Sequence, residues 1–270
     1  MRDLTILGFL FYDIVLYIAI YGFLGWCLEV VYAAVNTGRF INRGFLNGPV
    51  CPIYGFGAVI IIICLAPFKN NLFLLFIGSV FITSLLEYIT GLILEKVFYN
   101  KWWDYSHMPF NIKGYICLKF SLAWGIACIF LVRIVHPVIS GIINLIPYIL
   151  VQICAVIIII LFIIDLIASI KTILKLNITL QKIQEIGIKI REKSDELGED
   201  ILEEALEFKK KYENFSKETI ELKRRYINLI KKNRFYTRLI KAFPHVKSNK
   251  YFDSLEILKK NVIYKGRNRK

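Results

Sequence analysis

The sequence predicts an all-α membrane protein: a polytopic bundle of about five transmembrane helices followed by a cytoplasmic, coiled-coil-like helical tail. Three observations lead there. Hydrophobic residues make up 56% of the 270, and the mean hydropathy is +0.54, above the apolar share of a soluble domain. Five windows, 11–34, 51–68, 72–94, 115–135 and 146–169, approach or exceed the roughly 20 apolar residues that cross a ~30 Å hydrocarbon layer. The net charge of +14 is also uneven: residues 1–170 carry nine Lys/Arg against seven Asp/Glu, and residues 171–270 carry 26 against 14. The chain therefore divides into a transmembrane domain (1–170), an amphipathic tail (171–243) and a basic C-terminal segment (244–270).

The first window follows Met1-Arg2-Asp3 without a small-residue cleavage site, which predicts no cleaved signal peptide. The second window opens with Pro49 and Pro52. Proline suits a helix's first turn, where its missing N–H has no partner to lose, so the helix is expected to start near Pro52. That leaves GRFINRGFLNG before it as a structured loop folded back against the bundle, or as a re-entrant loop. Lys/Arg counts set the orientation, because cytoplasmic connections hold the excess. Arg39 and Arg43 follow the first window, and Lys96, Lys101 and Lys113 follow the third. The other side holds Arg2, Lys69 and Arg133, one per segment. The expected topology is N-terminus outside, tail inside, at the cell membrane.

In the tail, Ile173, Leu176, Leu180, Ile183, Gly187, Ile190, Ser194 and Leu197 keep a heptad spacing. The register resumes from Ile201 through Ala205, Phe208, Tyr212, Phe215, Thr219, Leu222, Tyr226 and Leu229 after one extra step of four. Such a stutter unwinds a coiled coil, and Gly198 lies inside it, so one long helix or a hairpin with a break near Gly198 is expected. The tail is read as pairing with a copy of itself or with a helical partner. Its positive charge is assigned to attraction by anionic inner-leaflet lipids rather than to nucleic acid.

Charged groups inside spans are the best pointers to function, because each is costly there. Glu29 and Glu87 lie at similar depth from the inner ends of the first and third windows. Arg39 and Arg43 are on the same side, so ion pairs from either arginine to either glutamate are expected. The cluster reads either as a lock on the loop or as a substrate or ion pathway. Gly44, Gly48, Pro49, Pro52 and Gly55 shape the loop. In KWWDYSHMPFNIKGYICL (101–118), Asp104 and His107 are three apart, a spacing that one helix face could hold. Trp102, Trp103 and Tyr105, with Trp26, read as interfacial anchors, and Asn111 and Gly114 as turn residues. The six cysteines are dispersed and read as small hydrophobes, and no His/Cys cluster suggests a metal or other cofactor.

GWCLEVVY (25–32), NRGFLNGPVCPIYGFGA (42–58), LLEYITG (85–91), WWDYS (102–106) and NIKGYICL (111–118) stand in this order. Together they resemble the type IV ABC-transporter permease-like family of bacterial integral membrane proteins, over about residues 20–130. The positions that match are Trp26, Glu29, Asn42, Arg43, Gly44, Gly48, Pro49, Pro52, Tyr54, Gly55, Glu87, Trp103, Asp104, Tyr105, Asn111 and Gly114. The resemblance implies the permease part of a transporter. No GxxxxGK[ST] phosphate loop occurs, so a separate ATPase subunit is expected. The alternative is a membrane-anchored scaffold or sensor whose coiled coil binds a partner. A lipid-directed enzyme is disfavoured, since no nucleophile–base pair is present.

Overall fold

The computed structural model of the chain describes residues 5–6, 8–200, 208–231 and 237–264. They divide into two compact units, Met1–Lys171 and Thr172–Lys270. The chain is all-α, a polytopic bundle with only two-residue extended pairs besides its helices. Among the described residues, four helices are long and apolar enough to cross a membrane: Phe11–Thr37 (α1), Leu72–Phe98 (α3), the stretch Leu118–Asn144, and Tyr148–Lys193 at the start of α6 (Tyr148–Asp200). The sequence predicts five. Its second window, 51–68 and the shortest of them, forms α2 (Pro52–Leu65) and a 3-10 turn (Ala66–Phe68), 17 apolar residues that rise about 25 Å. Side chains such as Phe73, Phe81, Ile126, Ile157 and Ile164 stay exposed on the outer faces, as expected of surfaces that meet lipid.

The stretch Leu118–Asn144 is three pieces: α4 (Leu118–Phe130), a π turn (Leu131–Val135) and α5 (His136–Asn144). The His136 N–H bonds back to the Leu131 carbonyl. Pro137 follows and has no N–H to close a normal helical bond, which explains the widened turn just before it.

α2 does not begin where α1 ends. The Cys51 N–H donates to the Gly22 carbonyl at 2.9 Å, so α2 starts beside the middle of α1. The approach is backbone-close: a Cβ on Gly25 would overlap the Tyr54 ring, and one on Gly55 would fall on the Ile18 carbonyl oxygen. α2 then runs antiparallel toward the N-terminus of α1. The connection 38–51 is thus a loop folded back along residues 23–37 of α1, about 22 Å of helix. α1 ends with Gly38 at φ 66°, its N–H on the Ala34 carbonyl, a left-handed cap that glycine adopts without strain.

α3 and α4 repeat the plan. The connection 99–117 returns along α3 until Trp103 and Tyr115 crowd Gly91. The left-handed cap of α3 is Tyr99 at φ 59°, with its N–H on Glu95. Phe45 joins the two connections, with ring centroids 6.1 Å from Phe98 and 5.7 Å from Trp102. Of the cysteines, Cys51, Cys117 and Cys128 are buried, whereas Cys64 and Cys154 lie on exposed faces; all six are free thiols.

In the second unit, Ile173, Leu176, Leu180 and Ile183 are all buried. α6 continues through Gly198, where the sequence suggested a break, to Asp200; the later stutter residues 201–207 lie outside the described residues. Lys193 on α6 pairs with Glu218 on α7 (Phe208–Lys231). That contact brings α6 and α7 side by side. The segment read as a basic terminus contains α9 (Phe252–Tyr264), which buries Leu255 and Leu258 and packs with α8 (Thr237–Ala242) and α7.

Candidate functional site

Two Tyr–Glu bonds sit where the connections turn back into the bundle. Glu29, on α1, accepts the Tyr54 hydroxyl at 2.6 Å and faces Arg43 Nε at 3.4 Å. Glu87, on α3, accepts the Tyr105 hydroxyl at 3.2 Å through Oε1. Burial and then the neighbouring carboxylates, Glu87 foremost and Glu29 last, push the Tyr105 phenol well above its ordinary value. The two pairs therefore share one electrostatic neighbourhood. Aromatic rings enclose it: Trp124 lies edge-on to Tyr54 at 5.4 Å and Phe120 lies 4.9 Å from Tyr105. The group is a polar cluster inside an apolar bundle, and it places the Glu29–Arg43 ion pair near a carboxyl with no cation on it among the described residues.

Of the four arginine–glutamate pairings the sequence suggested, the structure forms one, Arg43 with Glu29. Arg43 also lies over the Tyr32 ring, 5.4 Å from its centroid. Arg39 is exposed and makes no ion pair among the described residues. Asn42 is the hub of the first connection. Its Oδ1 accepts the Trp26 indole N–H at 2.7 Å and the Gly44 N–H at 3.1 Å, while its Nδ2 donates to the Asn47 carbonyl at 2.9 Å. Pro49 is the middle of a tight turn closed by the Val50 N–H on Gly48 at 2.9 Å, and Pro52 is the first residue of α2. Gly44 is buried against Val50 and Leu46 carbonyls, and Gly55 lets α2 touch α1.

Asp165 matters more than its sequence position suggests. It looks like a residue near a helix end that reaches the interface. In the structure it accepts the Gly48 N–H at 2.7 Å, the Asn47 N–H at 3.0 Å, the Asn47 side-chain amide at 2.9 Å and the Ser169 hydroxyl at 3.3 Å. One carboxylate on α6 thus fixes the loop that carries Arg43. The signal was faint but present: an Asp and a Ser four apart share a helix face, opposite a loop rich in unpaired backbone donors.

The second connection departs from expectation in two respects. Residues 102–110 are not helical, so Asp104 and His107 share no helix face. Asp104 instead pairs with Lys101 at 3.1 Å and accepts the Ser106 N–H at 3.1 Å, while His107 is exposed. The aromatic residues read as interfacial anchors make internal contacts. Trp102 is 4% exposed, Trp103 donates to the Tyr115 carbonyl at 2.9 Å, Tyr105 reaches Glu87 and Trp26 reaches Asn42. Backbone folded back into a membrane bundle needs such donors and rings around it, because lipid offers it nothing. Asn111 and Gly114 do form a turn, with the Gly114 N–H on Asn111 Oδ1 at 3.1 Å and Gly114 at φ 70°.

The profile of a family described as Putative ABC-transporter type IV matches residues 16–170, more than half of the chain. The chain belongs to that family. No curated protein and no solved structure matches it. The type IV ABC-transporter match takes in both returning connections, Glu29, Glu87 and Asp165, and it ends just before the charged tail. It extends beyond the resemblance read from motifs, which stopped near residue 130, and so includes the helix that anchors the first loop.

Proposed function

We propose that this chain is the membrane-spanning permease subunit of an ABC-type transporter whose ATPase is a separate protein. The observation that carries the reading is the Glu29–Arg43–Tyr54 and Glu87–Tyr105 cluster. Polar side chains that reach this far into a bundle of a transporter family are expected to line or gate a path. In this reading the connections 38–51 and 99–117 form the cytoplasmic face, and the basic tail lies beside the anionic leaflet. Glu29 and Arg43 hold the path closed at the first connection. Glu87 and Tyr105 do the same at the second.

The test is co-expression of the full chain with the ATPase encoded nearest to it. The two should purify together from detergent-solubilised membranes, and ATP hydrolysis by the complex should change when Arg43 is replaced by Gln. Independent purification, with unchanged hydrolysis, would remove the permease reading. The orientation has its own check. A thiol reagent that cannot cross membranes should label Lys69→Cys in intact cells, and Lys96→Cys only after permeabilisation, in a background lacking the native cysteines.

A further inference from the structure

Glu29 and Glu87 hold equivalent places in two halves that repeat one local plan. α1 and α3 are each 27 residues long. Each is followed by a connection with an Asn whose Oδ1 accepts a nearby glycine N–H: Asn42 with Gly44 and Asn111 with Gly114, both at 3.1 Å. Each connection ends in a cysteine at the N-cap of the return helix, Cys51 for α2 and Cys117 for α4. Each helix places a glutamate under a tyrosine hydroxyl, Glu29 under Tyr54 of the return helix and Glu87 under Tyr105 of the connection, and α3 has a second such bond from Tyr115 to Glu95 at 2.8 Å.

The halves differ in one chemical respect. The basic residue before the first glycine, Arg43, reaches Glu29. The basic residue before the second, Lys113, is exposed and forms no ion pair among the described residues. Lys101, the nearest alternative on that connection, is taken by Asp104 and by the Lys113 carbonyl. Glu87 therefore has one oxygen on the Tyr105 hydroxyl, while its Oε2 is buried with no hydrogen-bond partner. The titratable groups around the pair are Tyr105 itself, Cys117 from the same connection, Tyr54 from α2, and Glu29 from α1 with Arg43 already upon it. Across from Glu87's helix, α4 contributes Ser121, which is bonded to Ser84 at 2.8 Å.

We propose that Glu87 is a proton-binding site: Oε2 carries a proton at neutral pH, whereas Glu29 in the other half has Arg43 upon it. An unpaired carboxylate out of water is costly, and a carboxylic acid relieves that cost with no added partner. An alkali cation would need several oxygens around it, and here only the Tyr105 oxygen bonds the carboxyl. The site has a mechanical consequence. Lifting the connection 99–117 off α3 hydrates Glu87, which then passes its proton to water and leaves a solvated carboxylate. Opening at the second connection thus releases one proton, and acid favours the packed arrangement. The inference concerns the packing of one connection and does not depend on the permease reading.

The test uses the full-length protein in detergent with Glu87→Gln and Glu29→Gln. Infrared spectra near neutral pH should show the carbonyl stretch of a protonated carboxylic acid that is lost in Glu87→Gln and kept in Glu29→Gln. Glutamine resembles the neutral acid, so Glu87→Gln should fold and melt like the wild type at about pH 6. The folded state holds this proton more tightly than the unfolded chain, so stability is lost as pH rises. Between about pH 6 and pH 8.5 the wild type should lose more melting temperature than Glu87→Gln. Glu29→Gln strands Arg43 and should melt lower throughout. A band that survives in Glu87→Gln, failure of that variant to fold, an equal pH slope in both proteins, or a sodium- or potassium-dependent melting rise lost with Glu87 would each overturn the proposal.

Discussion

Gly55→Ala should abolish or sharply reduce accumulation of the folded protein. The added methyl would fall on the Ile18 carbonyl oxygen, and a backbone atom cannot rotate aside as a side chain can. Relief requires α2 to move off α1, which also breaks the Cys51–Gly22 bond and pulls Tyr54 from Glu29. Overpacking commonly costs about 1–3 kcal/mol, and a backbone collision belongs at or above the top of that range. Gly57→Ala, on the same helix, is the control. Its methyl would meet only Leu86, at 3.8 Å, and should leave the melting temperature within a degree or two of the wild type. Equal behaviour of the two variants in a detergent thermal-shift assay would refute the close contact of α1 and α2.

Asp165→Ala should also destabilise the protein, by a different route. It removes the acceptor from the Asn47 and Gly48 N–H groups and from the Asn47 amide. An unsatisfied donor away from water costs about 1–3 kcal/mol; the Gly48 N–H is partly buried while the Asn47 donors are exposed and can turn to water, so the loss should total about 1–3 kcal/mol. The loop that presents Arg43 would then leave Glu29. Trypsin reports this directly: Arg39 is exposed and should be cut in both proteins, whereas Arg43 should become cleavable only in Asp165→Ala. Asp165→Asn, which keeps one acceptor oxygen, should fall between. If Asp165→Ala melts like the wild type and stays uncut at Arg43, the loop is held by something else.

Both predictions rest on contacts across long stretches of chain, and that separates what could be read early from what could not. The helix starting at Pro52 was legible because proline is tolerated where no N–H is needed, and the structure places it as the first residue of α2. The turn at Asn111 and Gly114 was legible for similar local reasons. The tail's heptad positions Ile173 to Ile183 were visible as a period, and they are buried. By contrast, Asp104 and His107 were placed on one helix face by spacing alone, and the segment is not helical. Spacing has meaning only once the local conformation is known.

The site divides the same way. That a glutamate inside a span needs a partner follows from the energetics of charge in lipid, so Glu29, Glu87 and Arg43 stood out at once. Which arginine meets which glutamate did not. Arg43 reaches Glu29 because the 38–51 connection folds back along α1 and is held by Asp165, more than a hundred residues away in the chain. The aromatic residues near the connections looked like interfacial anchors because composition records their amphipathic character but not what they touch.

The sequence by itself determined that this protein is an all-α membrane bundle with a charged helical tail, because spanning length, apolar runs and charge asymmetry are local and additive along the chain. It also marked the residues whose burial would need an explanation. Only the tertiary structure decided that the helix of the second apolar window starts beside the middle of α1, that Asp165 holds the first connection, and that among the described residues Glu29 has a cation while Glu87 has none. Those outcomes depend on how closely two backbones approach at a few glycines and on which donors meet one carboxylate. Such contacts join residues far apart in sequence, and no pattern within a single helix encodes them.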